Sequence, residues 1–259
     1  MITKIALRAM RAHAEAEYPK EACGFLVRGV DMEVTYRPAK NVSPTPEAKF
    51  EVDPLEAFAV EGEGEVLAIV HSHPEGPDGP STADRVACDM GSIPWYIVPV
   101  YLRGGSPRAD AAIGIAPSET RAPLMVRPFV HGVLDCYTLV RDWFKRERGV
   151  ELPDHPRSDE WWLKGGNLYV DNLAADGWRV LDESEALKPG DMILMQIGSP
   201  VPNHAALYLD DEQLSEGGYM HPMKGAMIHH MHGRPSERAL YGGMYKYCTA
   251  LVARHKSQE

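Results

Sequence analysis

Two histidines and an acid stand at the spacing of metal ligands. His71 and His73 follow the apolar run 66–70, which predicts a buried strand, and strand side chains two residues apart face the same side. Asp84 lies beyond a turn, in the segment 81–90, which we expect to be helical. Two imidazoles and a carboxylate leave the fourth position of a zinc ion to water, as in catalytic sites. The spacing therefore predicts a Zn²⁺ centre that makes hydroxide available at neutral pH.

These residues resemble the JAMM metallopeptidases, also called the JAB or MPN family. The family pattern is an upstream Glu, then His-x-His-Pro and Ser-x-x-Asp, and this chain has Glu21, His71 to Pro74, Ser81 and Asp84. The resemblance implies that Glu21 takes the proton from zinc-held water and that Ser81, the expected helix N-cap, helps to hold the oxyanion. It covers residues 1–115.

A cysteine in the second half of the chain predicts a different chemistry. Cys136 follows Asp135 at the start of the amphipathic segment 135–148, which we expect to be a helix. The dipole and the free amides of a helix N-terminus favour a thiolate, which is the nucleophilic form of cysteine. Such a nucleophile needs a base and an orienting group from elsewhere in the fold. We therefore expect a low pKa for Cys136 and preferential alkylation there.

Histidines at the start of later strands provide the partners. The segment 188–195 predicts a turn and a strand, His204 begins the next strand, and His229 lies on the one after it. This order resembles the NlpC-type cysteine peptidases, which cleave the peptide stems of the bacterial cell wall. The resemblance implies that Cys136 is the nucleophile, that His204 is the general base and acid, and that His229 orients His204.

An insertion leaves the third position open. Residues 210–226 lengthen the connection between the two histidine strands, so His230 or His221 could replace His229. We interpret the part 215–224 as a flap or docking loop over the Cys136 cleft, and the alternative is a neutral surface insertion, which a protein tolerates easily.

The two motif sets lie in opposite halves of 259 residues, a length compatible with two domains. We expect an α+β protein: a JAMM-like zinc domain at 1–115 with helices and a mixed sheet, a proline-punctuated linker at 116–130, and a papain-like NlpC-type domain at 131–259 whose helices precede an antiparallel sheet.

Charge and hydropathy argue against several classes of partner. The net charge is −10 and no basic run occurs, which disfavours nucleic acid and anionic membranes as partners. We find no export signal and no apolar run long enough to span a membrane, so we expect synthesis in a cytosol. Four cysteines without close pairing fit a reducing compartment.

Nearly the whole chain resembles the tail tip assembly proteins of lambda-like bacteriophages, in particular at 203–205, 228–230 and 233–255. That resemblance implies assembly in the host cytoplasm, a place in the virion tail tip, and action at the host cell wall. The implied partners are other tail tip proteins and bacterial peptidoglycan. Three functions follow: a hydrolase that cuts stem peptides through Cys136 and His204 while the genome enters, a processing protease for tail proteins, or a structural plug with inactive enzyme folds.

Overall fold

A computed structural model describes residues 2–118 and 121–259. Contacts between Cα atoms divide the chain into two compact units, Met1–Arg121 and Ala122–Glu259. Within the predicted linker at 116–130, residues 119 and 120 lie outside the described residues, whereas Leu124 and Arg127 are fully buried in the second unit. No helix among the described residues is long and apolar enough to cross a membrane.

The first unit is a mixed sheet flanked by helices. Its strands run in the order β2-β1-β3-β4-β5, with β6 also on β4; β3 and β4 are parallel and the other neighbours are antiparallel. The elements are α1 (Lys4–Glu17), β1 (Cys23–Arg28), β2 (Val34–Ala39), α2 (Pro54–Glu63), β3 (Glu65–Pro74), α3 (Thr82–Met90), β4 (Trp95–Arg103), β5 (Ser106–Ala109) and β6 (Ile113–Ile115).

Local sequence explains why these elements form where they do. Thr3 caps α1 by accepting a hydrogen bond from the Ala6 amide, and Ala6, Met10 and Ala14 recur every four residues on the face buried against the sheet. Strand β3 is central in the sheet, and its last residues are buried even where they are polar. The ring nitrogens of histidines at a buried strand end need hydrogen-bond or metal partners.

The second unit places helices before an antiparallel sheet. The strand order is β11-β10-β9-β8-β12-β7, and every neighbouring pair is antiparallel. The elements are α4 (Cys136–Trp143), continued by a π-helical turn (Phe144–Arg148), a 3₁₀ turn (Trp161–Leu163), α5 (Leu168–Asn172), β7 (Trp178–Val180), β8 (Met192–Met195), β9 (His204–Asp210), β10 (Ala226–His229), β11 (Glu237–Leu240), α6 (Gly243–Tyr247), β12 (Thr249–His255) and a last 3₁₀ turn (Lys256–Gln258). The predicted α+β class is confirmed.

Helix α4 is the centre of the second core. It packs against β9, and Leu139, Trp143 and Leu207 belong to one buried apolar cluster. Since a helix approaches a sheet with its apolar stripe, the pattern that buries this face also sets the position of the first residue, Cys136, near the start of β9.

Candidate metal and thiol centres

The structure brings the three predicted metal ligands together in the first unit. The Nε2 atoms of His71 and His73 are 3.1 Å apart, and each is 3.1 Å from one carboxylate oxygen of Asp84. All three side chains are buried, and their ligand atoms lie within 4.8 Å of one another. Two imidazole nitrogens and a carboxylate that converge on one point suit Zn²⁺.

Neighbouring groups orient the two imidazoles. Phe50 stacks on the His71 ring at 4.6 Å between centroids, and Trp95 contacts its edge. Nδ1 of His73 lies 3.3 Å from the Pro77 carbonyl oxygen. Because a carbonyl only accepts, Nδ1 carries the proton there and Nε2 of His73 is left as a lone-pair donor. The site therefore fits the metal that the spacing predicts.

Asp84 is held by the start of its own helix. Ser81 caps α3 as predicted: its Oγ accepts from the Asp84 amide at 3.1 Å, and the Ser81 amide donates to Oδ2 of Asp84 at 2.6 Å. Burial raises the pKa of Asp84, but the adjacent imidazoles of His71 and His73, together with Ser81, outweigh it and hold this pKa well below its usual range. The carboxylate stays ionised, and the Ser81 hydroxyl keeps its own proton to donate.

Glu21 lies just before β1 and is buried. Burial raises the pKa of Glu21 to about 7; His73 acts in the opposite direction, and the Asp84 charge adds to the rise. Both ligands thus lie within electrostatic reach of this carboxyl. A carboxyl group that titrates near neutrality can take up and release a proton under physiological conditions, as general acid–base chemistry requires.

Cys136 is the first residue of α4, and Asp135 is the N-cap. The Asp135 carboxylate accepts hydrogen bonds from the amides of Tyr137 and Thr138, at 3.1 and 3.0 Å, and from Nε of Arg157 at 2.7 Å. The side chains of Asp135 and Arg157 are almost fully buried. A buried ion pair therefore holds the beginning of the helix that carries the thiol.

The expected low pKa of Cys136 is wrong. Burial, followed by the charge of Asp135, raises the pKa of this thiol to about 11, although the Tyr169 hydroxyl, 3.4 Å from Sγ, acts in the opposite direction. The helix N-terminus does not favour the thiolate here, because Asp135 already occupies its first amides and brings a negative charge. Cys136 is a neutral thiol in the free protein at neutral pH.

The structure pairs His204 with His229. His204 begins β9, and its Nε2 lies 3.3 Å from Nδ1 of His229 on β10. Both rings are buried; burial and then His229 and His230 lower the pKa of His204 to about 3. The next residue, His230, packs its ring against Phe129 at 5.0 Å, and His221 lies in an exposed part of the insertion.

Comparison with known proteins places both centres in recognised domains. Residues 3–111 match the prokaryotic homologs of the JAB domain, and residues 126–254 match the NlpC/P60 family. The chain is 35% identical to tail tip assembly protein K of Escherichia phage N15 over 254 residues, covering 96% of this chain and 93% of that protein. It is 37% identical to tail tip assembly protein K of Escherichia phage lambda over 206 residues, covering 80% and 90%.

The chain belongs to the tail tip assembly protein K family. As a member of that family it joins two peptidase-type domains, JAB and NlpC/P60, in the predicted order. The first domain is also similar to the probable TtuB-protein conjugate cleaving protease of Thermus thermophilus, 41% identical over 83 residues that cover 30% of this chain and 55% of that protein.

Two residues of the thiol centre in this tail tip assembly protein K relative were not predicted. Tyr169 contacts the sulfur from α5, and Arg157 pairs with Asp135 from a connection without regular structure. Neither has a periodic pattern or a motif in the sequence that points to Cys136. Only the folded structure brings Tyr169 to Cys136 and Arg157 to Asp135.

Residues 215 and 216, which begin the part interpreted as a flap, bind just beyond the C-terminal end of α4, and the flap interpretation itself stays a prediction. Ser215 donates to Glu147, and Glu216 accepts two hydrogen bonds from Arg146, both at 3.0 Å. These partners follow α4 by one turn or less, roughly 15 Å along the helix from Cys136 at about 1.5 Å per residue. These two residues are anchored at the end of the helix opposite the thiol.

Proposed function

We propose that this chain is a tail tip component with a thiol peptidase that cuts the peptide stems of bacterial peptidoglycan while the phage genome enters the cell. The observation that carries this proposal is the buried His204–His229 pair, 3.3 Å apart, at the start of the strand against which the Cys136 helix packs. The family implies a place in the virion tail. We further propose that assembly takes place in the host cytoplasm, with other tail tip proteins as partners.

The ionisation of the resting site determines how the thiol reacts. With the pKa of Cys136 raised to about 11 and that of His204 lowered to about 3, the two groups are a neutral thiol and a neutral imidazole at pH 7. The proton must therefore pass from Sγ to His204 as the sulfur attacks the peptide carbonyl, rather than beforehand. A bound substrate promotes this proton transfer, because its carbonyl oxygen takes up the negative charge as the sulfur attacks, in a cleft from which water has been displaced.

The remaining steps use the same groups. Attack forms a tetrahedral intermediate, and His204 returns the proton to the leaving amine, so that the C–N bond breaks and a thioester with Cys136 remains. A water molecule that gives its proton to His204 then attacks the thioester, and the acid product leaves with the thiol restored. The Tyr169 hydroxyl, 3.4 Å from Sγ, lies within hydrogen-bond distance of the reacting sulfur.

For the first unit we propose a zinc peptidase centre in which His71, His73 and Asp84 hold the ion. When bound, zinc supplies a Lewis acid that polarises a carbonyl and lowers the pKa of water. Glu21, with a pKa raised to about 7, accepts a proton from the nucleophile and passes it to the leaving amine. The Ser81 hydroxyl donates a hydrogen bond to the oxygen that becomes negative.

A specific observation supports a second function for this zinc unit. The Thermus relative that resembles it is named as a probable protease that cleaves TtuB-protein conjugates. We therefore propose that the substrate of the zinc centre is a protein, and that it processes another tail protein during assembly. The two centres then act on different substrates at different stages.

Purified protein incubated with bacterial sacculi, and separately with tail proteins, tests both proposals when the fragments are identified by mass spectrometry. Stem-peptide release should disappear in Cys136→Ala, survive a chelator, and survive Cys248→Ala, a cysteine outside the centre. Cleavage of a tail protein should disappear in His73→Ala. Stem-peptide release that survives Cys136→Ala and stops with a chelator would assign wall cleavage to the other unit, and no cleavage of either substrate would favour the structural plug.

A further inference from the structure

The imidazole of His229 has one nitrogen without a hydrogen-bond partner. Its ring is fully buried, Nδ1 faces His204, and Nε2 makes no hydrogen bond with the described residues. A buried donor or acceptor that stays unpaired destabilises a fold, so such atoms normally have a partner close by. A hydrogen-bond partner for Nε2 of His229 must come from a neighbouring side chain.

Glu237 provides that side chain. It lies on β11 directly opposite His229 in the antiparallel register, and its Oε1 is 3.6 Å from Nε2 of His229. The Glu237 side chain is 51% exposed, so it is not locked in place by packing on all sides. Two other titratable residues face His229: His204 from β9, and Tyr245 from α6, whose ring contacts the imidazole edge-on at 4.9 Å. Of these three described residues, only Glu237 has a carboxylate.

Counting protons leaves two possible arrangements. Burial lowers the pKa of His204 and of His229, so each ring carries one proton at neutral pH. Between Nε2 of His204 and Nδ1 of His229, one nitrogen donates and the other accepts. If His229 donates, the proton of His204 sits on its Nδ1 and that ring has no free lone pair for the thiol proton. If His204 donates, its Nδ1 is free and His229 carries its proton on Nε2.

We propose that Glu237 is a positioning residue of the thiol centre: its carboxylate accepts the Nε2–H of His229, selects the second arrangement, and leaves Nδ1 of His204 as the proton acceptor. The catalytic meaning rests on the function proposed above, whereas the tautomer assignment does not. The carboxylate also stabilises the positive charge that His204 gains on taking the proton, because the hydrogen-bonded His229 ring lies between them.

Long-range ¹H–¹⁵N NMR of the full-length protein with ¹⁵N-labelled histidine tests the assignment, because protonated and unprotonated imidazole nitrogens resonate far apart. Loss of signals in His229→Asn identifies that ring. In the wild type at neutral pH we expect His229 to carry its proton on Nε2. Glu237→Ala should shift these signals toward a mixture of tautomers, whereas Glu237→Gln should preserve them, since the amide oxygen still accepts.

Kinetics provide the second readout. We expect Glu237→Ala to lower kcat about tenfold with little change in KM, and Glu237→Gln to stay within about threefold of wild type, because the second keeps the acceptor and loses only the charge. The matched control is Glu212→Ala, which removes a glutamate paired with Arg148, a residue beyond the far end of α4. That control should leave both the tautomer and kcat unchanged.

The His229 tautomer and the release of stem peptides can fail independently of each other. A wild-type His229 protonated on Nδ1, or tautomer signals that Glu237→Ala leaves unchanged, would overturn the role of Glu237. Stem-peptide release that persists in Cys136→Ala would refute the thiol peptidase while leaving an observed Nε2 tautomer, and its dependence on Glu237, in place.

Discussion

Removal of the Arg157 guanidinium measures how firmly the start of α4 is held. Arg157→Met breaks a buried ion pair at 2.7 Å, and the loss of one partner from such a pair typically destabilises a fold by about 3–5 kcal/mol. Asp135 keeps the amide donors of Gly132, Tyr137 and Thr138, so its carboxylate is not left bare. We therefore expect the lower end, about 3 kcal/mol at pH 7.

The pH dependence has a definite sign. Burial raises the pKa of Asp135, but Arg157 and the amide donors outweigh it, so this pKa lies below its ordinary value. A lowered carboxyl pKa stabilises the folded state above the unfolded value of about 3.9, and that stability is lost as the pH falls through the folded pKa. Without Arg157 the burial of Asp135 is no longer offset and its pKa rises. The deficit of the variant should therefore be full at pH 7 and shrink below about pH 4.

Urea unfolding of the full chain, followed by tryptophan fluorescence, is a suitable assay. Four of the five tryptophans lie in the second unit, so the signal reports mainly on its unfolding. Lys145→Met is the control, because its pair with Glu151 is exposed to solvent and such pairs contribute little to stability. An Arg157→Met variant as stable as this control at pH 7, or a deficit that grows on acidification, would refute the reasoning.

Three further outcomes follow from the geometry. Iodoacetamide should modify the partly exposed Cys248 before the buried Cys136 at pH 7, as mass spectrometry of the labelled peptides would show. Modification of Cys136 should become faster as the pH rises toward the pKa of this thiol, about 11, and preferential labelling of Cys136 at pH 7 would contradict the expectation. His73→Ala should lose about one equivalent of metal, whereas Glu21→Gln should keep it, because Glu21 is outside the proposed ligand set. If metal analysis finds no metal in either variant, Glu21 is not the proton acceptor proposed here but a ligand. Glu216→Ala should speed proteolysis within the segment that follows it without changing stem-peptide release, and unaltered digestion argues against the anchor.

Much of the candidate metal centre is encoded locally. The period of a strand puts His71 and His73 on one face, and the capping box of Ser81 and Asp84 sets the first turn of α3; both effects act over three residues or fewer. The same holds for the Asp135 cap before Cys136. These features could be predicted because each depends on neighbours in the chain.

Other properties were decided by contacts between distant residues. The choice of His229 over His230 depends on the register of β10 against β9, since a shift of one residue exchanges the two faces of a strand. The raised pKa of Cys136 depends on burial, which is a property of the whole core, and on the negative charge of Asp135, which also caps the helix. The sequence by itself determined the two domain families, their order and the local geometry of the candidate metal ligands. Only the tertiary structure decided which histidine pairs with His204 and how the thiol ionises, because register and desolvation arise from long-range packing that no local pattern records.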